Sequence, residues 1–217
     1  MAVKRKLFAG LRHMVPGDLE YWLEECNSEG LKLVHTGQTG MLYFSFVEDT
    51  PEKTRYVIDC PTMPKALYFS ALVDDGWESL GQSMNCYIWR KTYTDGDRPA
   101  DFSDKAGVRM HCFRQGLAFL LMFLAFLALF IAVAYAFYLR FKAGLSPVQI
   151  VEFAAILVFH IPFIVFFGIG SGKLLRESDR LKKSADASAE ASRLIKIAEA
   201  KNKAEAEMAG FGKDNAE

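Results

Sequence analysis

No segment of this chain is strongly basic, cysteine is scarce, and the common catalytic signatures are missing. Basic and acidic side chains number 26 each, a formal net charge of zero. Met1–Cys112 carries 13 basic and 16 acidic groups. A nucleic-acid surface needs clustered positive charge against phosphates, so nucleic acid is not an expected partner. The 4 cysteines, Cys26, Cys60, Cys86 and Cys112, include no CxxC or other zinc spacing. They read as free thiols of a reducing compartment; two disulfides would require the domain to lie outside the cytosol. The opening MAVKRKLFAG has a basic start but no apolar core, so no signal peptide is expected. There is no nucleophile elbow, HExxH, recognisable carboxylate pair or dinucleotide fingerprint. GIGSGK, Gly168–Lys173, falls short of a phosphate loop: Phe167 stands where the first glycine belongs, Leu174 follows the lysine, and no strand precedes it. Small residues at a helix end account for it better. His111 and Cys112 are adjacent, with no partner identifiable in sequence. No enzyme activity, metal or cofactor is expected.

Two long apolar runs dominate what is present. Gly116–Leu139 has 24 residues and no charge. At 1.5 Å per residue it reaches about 36 Å, enough for a hydrocarbon core of about 30 Å. Val148–Gly170 is the second run, interrupted by Glu152, His160 and Pro162. The link RFKAGLSPVQ is short and forces an antiparallel hairpin. Ser146 and Gln149 are spaced as a capping box, with Pro147 at the first helical position. Lys105, Arg109 and Arg114 precede the first run, and Lys173, Arg176, Arg180, Lys182 and Lys183 follow the second. The link carries only Arg140 and Lys142, so both termini are expected in the cytosol, with the chain multi-pass in the cytoplasmic membrane. Glu152 reads as an interfacial carboxylate. His160 is either a proton or ligand site or a hydrogen-bonding partner for the Val158 carbonyl, which Pro162 leaves without its helical donor. Pro162 is the expected kink.

The region before the hairpin holds two similar units 46 residues apart, LEYWLEECNSEGLKLV from Leu19 and KALYFSALVDDGWESL from Lys65. Each reads as a strand, a helix closed by Gly30 or Gly76, and two further strands. The predicted strands are KLFAGL, LKLVHT and MLYFSFV in the first unit, and RYVIDC, WESLGQ and YIWRKTY in the second. GQTG and SMNC are the expected turns, and Asp18 or Thr62 the expected helix caps. The fold class is α+β: a tandem βαββ repeat, ferredoxin-like or a related antiparallel sheet with two helices, then a transmembrane hairpin and a cytosolic helical tail. The expected segments are 1–93 for the repeat, 94–112 for a polar linker, 113–172 for the hairpin and 173–217 for the tail. Trp77, Trp89, Tyr43 and Phe44 read as core; a ligand pocket, if one exists, belongs at the seam between the units.

Tyr21-Trp22-Leu23-Glu24-Glu25, Gly30-Leu31-Lys32-Leu33, Tyr43-Phe44, Tyr56-Val57-Ile58-Asp59 and Asp75-Gly76-Trp77-Glu78 together form a pattern. It resembles an uncharacterised bacterial family of membrane-attached proteins, a domain of unknown function often encoded beside PadR-type transcription regulators. The resemblance covers about residues 4–110. It departs at Leu31, where tryptophan is usual, and supplies no catalytic residues. The role it implies is regulatory or sensory, by genomic association rather than chemistry.

In the tail, Leu174, Leu181, Ser188 and Ile195 recur at seven, but one of the four is polar, so a solvated Ala/Glu/Lys-rich helix is expected rather than a coiled coil. Lys173, Arg176, Arg180, Lys182 and Lys183 are placed to touch anionic headgroups. The expected function is a membrane-tethered sensor or regulator whose cytosolic domain binds a protein or small ligand. The alternatives are a homo-oligomeric structural or pore-forming protein, and a membrane enzyme or transport accessory subunit. The bilayer, and either a protein partner or self-association, are the expected contacts.

Overall fold

The computed structural model describes residues 4–8, 10–34, 43–61, 64, 66–83, 85–144 and 146–211. The chain divides into two compact units, one running through Ser178 and the other starting at Asp179. The first opens as a mixed α+β domain: β1 (Lys4–Phe8), a 3-10 turn (Leu11–His13), α1 (Pro16–Ser28), β2 (Leu31–Leu33), β3 (Tyr43–Glu48), β4 (Thr54–Asp59), α2 (Ala66–Asp74), β5 (Glu78–Ser83) and β6 (Cys86–Thr92). Two long helices follow, α3 (Lys105–Ala143) and α4 (Pro147–Phe211).

The strands form two antiparallel three-stranded sheets, ordered β1-β3-β2 and β4-β6-β5. Alternating side chains explain which faces are dry. Phe44 and Phe46 of β3, and Ile88 with its neighbour Trp89 in β6, are all nearly inaccessible. Val57, Trp77 and Trp89 make one core cluster, closed by Tyr68, Phe69, Leu72, Tyr87 and Phe102. Trp77, Trp89 and Phe44 are therefore core, while the Tyr43 side chain lies outside the described residues. So do the GQTG turn and Thr62.

Both short helices end as their glycines require. Gly30 has φ 83° and Gly76 has φ 84°, a left-handed conformation that costs other residues energy. After α2, Gly76 N–H donates to Val73 O and Trp77 N–H to Leu72 O, each at 2.9 Å, closing a Schellman motif. A Cβ on Gly30 would also stand 2.7 Å from Asp49 O. The start of α1 departs from expectation. Proline sets φ for a first helical turn, so the helix begins at Pro16 with Val15 as its cap residue, and Asp18 falls inside the first turn rather than capping it. In α2 the inward face is Tyr68, Phe69 and Leu72, each partly buried, while Leu67 and Val73 are exposed.

The two sheets are tied together by α1, which lies along the open edge of β4. Glu20 accepts from Ile58 N–H at 2.8 Å and Glu24 from Tyr56 N–H at 3.4 Å. Arg55 of the same strand reaches both carboxylates, and Arg98 adds a bond to Glu24 at 2.9 Å. Asn27 donates to Glu52 O at 2.7 Å and to Thr54 Oγ1 at 3.0 Å. An edge strand left bare would offer its backbone to other chains; here side chains of α1 occupy it.

The two long helices are long and apolar enough to cross a membrane, and only 6% of the most apolar stretch of each is buried within the chain. A soluble core helix would be covered, so these surfaces need lipid or protein around them. The helices meet through phenyl rings: Phe126 stacks on Phe163 at 5.0 Å and on Phe167 at 5.6 Å, and Phe119 meets Phe167 edge-on at 5.3 Å. Gly168 and Gly170 leave room for Phe123 and Phe119, which gives the first two glycines of GIGSGK a packing role. The capping box forms between the helices: Ser146 N–H donates to Gln149 Oε1 at 3.1 Å, and Gln149 N–H to Ser146 Oγ at 3.4 Å.

Candidate functional site

The most chemically distinctive place in the described residues is where the α+β domain meets the start of α3. Ladder pairing puts Asp59 of β4 opposite Tyr87 of β6, so Cys60, one residue on, faces Cys86. Their sulfurs are bonded as a disulfide. This corrects the expectation of four free thiols. Residues 26 apart in sequence become neighbours because β4 and β6 pair directly, with β5 relegated to the sheet edge. Cys26 and Cys112 remain free and buried.

Helix α3 closes over this pair. Asp104 caps it, its side chain accepting from Ala106 N–H at 3.0 Å. Asp104 N–H in turn donates to Asp59 Oδ1 at 2.8 Å, and Tyr68 O–H to Asp59 Oδ2 at 2.6 Å. Asp59 is 2% exposed, so these donors satisfy a carboxylate that burial alone would destabilise. One turn further, Gly107 packs directly on the Cys60 carbonyl: a Cβ there would stand 2.5 Å from that oxygen. His111 is one turn beyond Gly107 on the same helix face. One of its ring nitrogens and both sulfurs lie within 4.8 Å of one another. A cavity of about 560 Å³ opens beside the trio, lined also by Asn85, Tyr87, Met110 and Arg114.

The expected linker 94–112 is held to the domain at several points. Arg98 reaches Glu24, Phe102 packs on Trp77 with ring centroids 4.7 Å apart, and Asp104 N–H reaches Asp59. A second cavity, about 570 Å³, lies between this segment, Leu72 and Lys91. The seam between the sheets, by contrast, holds a shallow cavity of about 280 Å³ against Leu33, Val47, Leu80 and Arg90.

The domain also touches α4. Met14 Sδ stands 3.2 Å from where a Cβ on Gly170 would be, and Lys173 Nζ donates to Arg12 O at 3.3 Å. His13 stacks on Trp22 at 4.8 Å, locking the 3-10 turn to α1. Leu174 and Cys112 are wholly buried, and Ser171 and Ser178 nearly so.

The residues singled out in the hairpin are not brought together. Glu152 is exposed near the start of α4, and α4 continues through Pro162. His160 is 7% exposed and its Nδ1 lies 2.7 Å from Ile156 O, not from the Val158 carbonyl freed by Pro162. A helical side chain points back toward the preceding turn, so the carbonyl four residues earlier is the one within reach. Phe126 and Phe159 flank the ring. Of the basic cluster, Lys173 is committed to Arg12, whereas Arg176, Arg180, Lys182 and Lys183 have exposed side chains.

Outside the hairpin, burial raises the Glu20 carboxyl to about 7, opposed by the Ile58 N–H and by Arg55. Cys60, Cys86 and His111 were not joined by sequence reading. The available signal was positional: one cysteine ends the opening strand of the second unit and the other begins its closing strand.

A class of protein is thereby defined, a mixed α+β domain fastened to the start of α3 and the middle of α4, two helices long and apolar enough to span a membrane. Residues 17–124 match the model of a family described as "Protein of unknown function (DUF2812)". The matched stretch runs from α1 into α3 and includes Cys60, Cys86 and His111. No curated protein and no solved structure matches the chain.

Proposed function

We propose that the protein is a membrane-tethered sensor or regulator, whose α+β domain binds a protein or small ligand on the cytosolic side and whose hairpin anchors it with both termini in the cytosol. The observation that carries this reading is the direct seating of the domain on both long helices. Gly107 against Cys60, the Asp59–Asp104 bond, Met14 beside Gly170 and Lys173 on Arg12 leave no slack between domain and hairpin. An event in the domain therefore changes the free energy of the helices, and the reverse holds by linkage. The same strand order in the two sheets supports a duplicated βαββ unit. The bacterial, regulator-linked setting implied by the resemblance belongs to this proposal. The test is a quantitative mass-spectrometric pull-down of the tagged full-length protein from mild-detergent membranes. A second protein in near-stoichiometric amount is the expected result; recovery of this chain alone overturns the regulator reading in its protein-binding form.

The second reading, a homo-oligomer, draws on the uncovered helix faces. Leu121, Ile131 and Phe159 are 60%, 59% and 63% exposed, and copies of the hairpin are one way to cover them. A single narrow oligomer in detergent supports it.

A further inference from the structure

We propose that Cys60, Cys86 and His111 form a binding site for one thiophilic metal ion of the zinc type, filled in the dithiol state and closed by the Cys60–Cys86 disulfide. The site stands apart from the regulatory reading; only which state prevails in the cell rests on the cytosolic placement proposed above.

Three observations carry it. The first is the donor set. Two sulfurs and an imidazole nitrogen all fall within 4.8 Å of one another. A tetrahedral ion with metal–sulfur bonds near 2.3 Å and a metal–nitrogen bond near 2.0 Å needs donors about 3.5–3.8 Å apart. Opening the S–S bond and rotating the two side chains about Cα–Cβ moves the sulfurs apart toward that spacing, with the backbone in place.

The second is the way the third donor is delivered. A structural disulfide needs no histidine. Here Gly107 brings α3 so close to the Cys60 carbonyl that any larger residue would collide, and His111 follows one turn later on that face. The Asp104 cap and its bond to Asp59 fix the height of the helix. Asn85, with φ 65°, makes the turn that presents Cys86.

The third is the open side. The cysteines are 6% and 2% exposed, so the sulfurs are shielded from bulk solvent, yet a cavity of about 560 Å³ is lined by two of the three donor residues, Cys60 and His111. Three protein donors and a space for water or another small ligand match an ion with one exchangeable position.

The chemistry balances as follows. A dithiol reductant attacks one sulfur as thiolate; the S–S bond breaks and its electron pair goes to the other sulfur, which takes a proton. The second thiol of the reductant then displaces the first cysteine from the mixed disulfide, leaving two protein thiols and the reductant as a cyclic disulfide. A divalent ion binds the two cysteines with release of two protons, and neutral His111 donates a nitrogen lone pair. Reoxidation by a disulfide-class oxidant removes two electrons from the thiolates, reforms S–S and frees the ion.

The test uses the full-length protein in mild detergent, reduced with a phosphine, desalted without oxygen and titrated with Co²⁺, then with Zn²⁺. The expected result is one equivalent of Co²⁺, with a thiolate-to-cobalt charge-transfer band and the visible bands of a tetrahedral site, all displaced by Zn²⁺. Oxidised protein binds none. C60S and C86S abolish the band, H111A weakens Co²⁺ binding by at least about 10-fold, and the C26S/C112S double variant leaves it unchanged. No band in the reduced wild type overturns the proposal, and so does loss of its near-ultraviolet circular dichroism without metal uptake. A band that survives C60S/C86S, or affinity unaltered in H111A, overturns it equally.

Discussion

The N-terminal domain buries several of its largest aromatic rings, and the hairpin leaves several of its own uncovered. Trp89, Tyr56 and Phe46 have no measurable exposure, while Phe159 and Tyr135 are 63% and 62% exposed. Their polar groups differ in the same sense. In the domain, buried polar side chains find partners far along the chain: Asn27 binds β4, Glu20 an edge N–H, and Asp59 both Tyr68 and the start of α3. In the hairpin, His160 and Ser171 turn back on their own helix, to Ile156 O and Gly168 O. Water drives the first region together and penalises unpaired groups inside it. Lipid around the hairpin, as the proposed anchoring requires, would leave apolar side chains uncovered and require each helix to satisfy itself. Among the described residues the two regions meet in a short band, where Gly107 packs on Cys60, Met14 lies beside Gly170, and Lys173 reaches Arg12.

That contrast predicts unequal costs for similar substitutions. The largest is Trp89→Ala, expected to destabilise the domain by about 3–5 kcal/mol in denaturant unfolding of the full chain. Leu121→Ala removes a smaller apolar group from a site on α3 that is 60% exposed within the chain, and is expected to leave that transition unmoved. Equal effects would break the comparison.

Glu20 gives a pH-dependent version. Its carboxyl, raised to about 7, holds a proton in the folded chain between about 4.5 and 7, where the unfolded chain has released it. Its contribution is therefore fully present below the unfolded pKa and is lost as pH rises through about 7. The expected slope is at most about 1.4 kcal/mol per pH unit. In Glu20→Gln the stability profile over that window flattens; an unchanged slope would assign the titration elsewhere.

Ser146→Ala removes half of the capping box at the hairpin turn and is expected to cost about 1 kcal/mol, read as a lower thermal midpoint in detergent. Smallest is His160→Leu, about 0.6 kcal/mol, because its bond lies within one helix. A cost of several kcal/mol there would mean that the ring works between helices or on a ligand.

The strands, both short helices and the apolar runs were legible because each rests on local periodicity and on a glycine at a helix end. The cross-connections were not. Glu20 and Glu24 sit four apart on α1, the spacing of a solvated acidic face, and only the bare edge of β4 gives them donors. Cys60 and Cys86 became partners once β6 was placed beside β4. His111 joined them because Gly107 admits α3 to the sheet, a contact that no spacing along the chain encodes. His160 was noticed for its polarity in an apolar run, but its acceptor follows side-chain direction rather than the proline.

The central structural claim is that domain and hairpin are joined without slack, and hydrogen–deuterium exchange of the full-length protein in lipid nanodiscs tests it most directly. Amides of 10–14 and 104–112 are predicted to be protected in the wild type and to lose protection together in Gly107→Val, with 120–135 unchanged. Wild-type exchange at the free-chain rate in both segments would contradict the account, because the domain would then hang loosely from the two helices rather than sit on them.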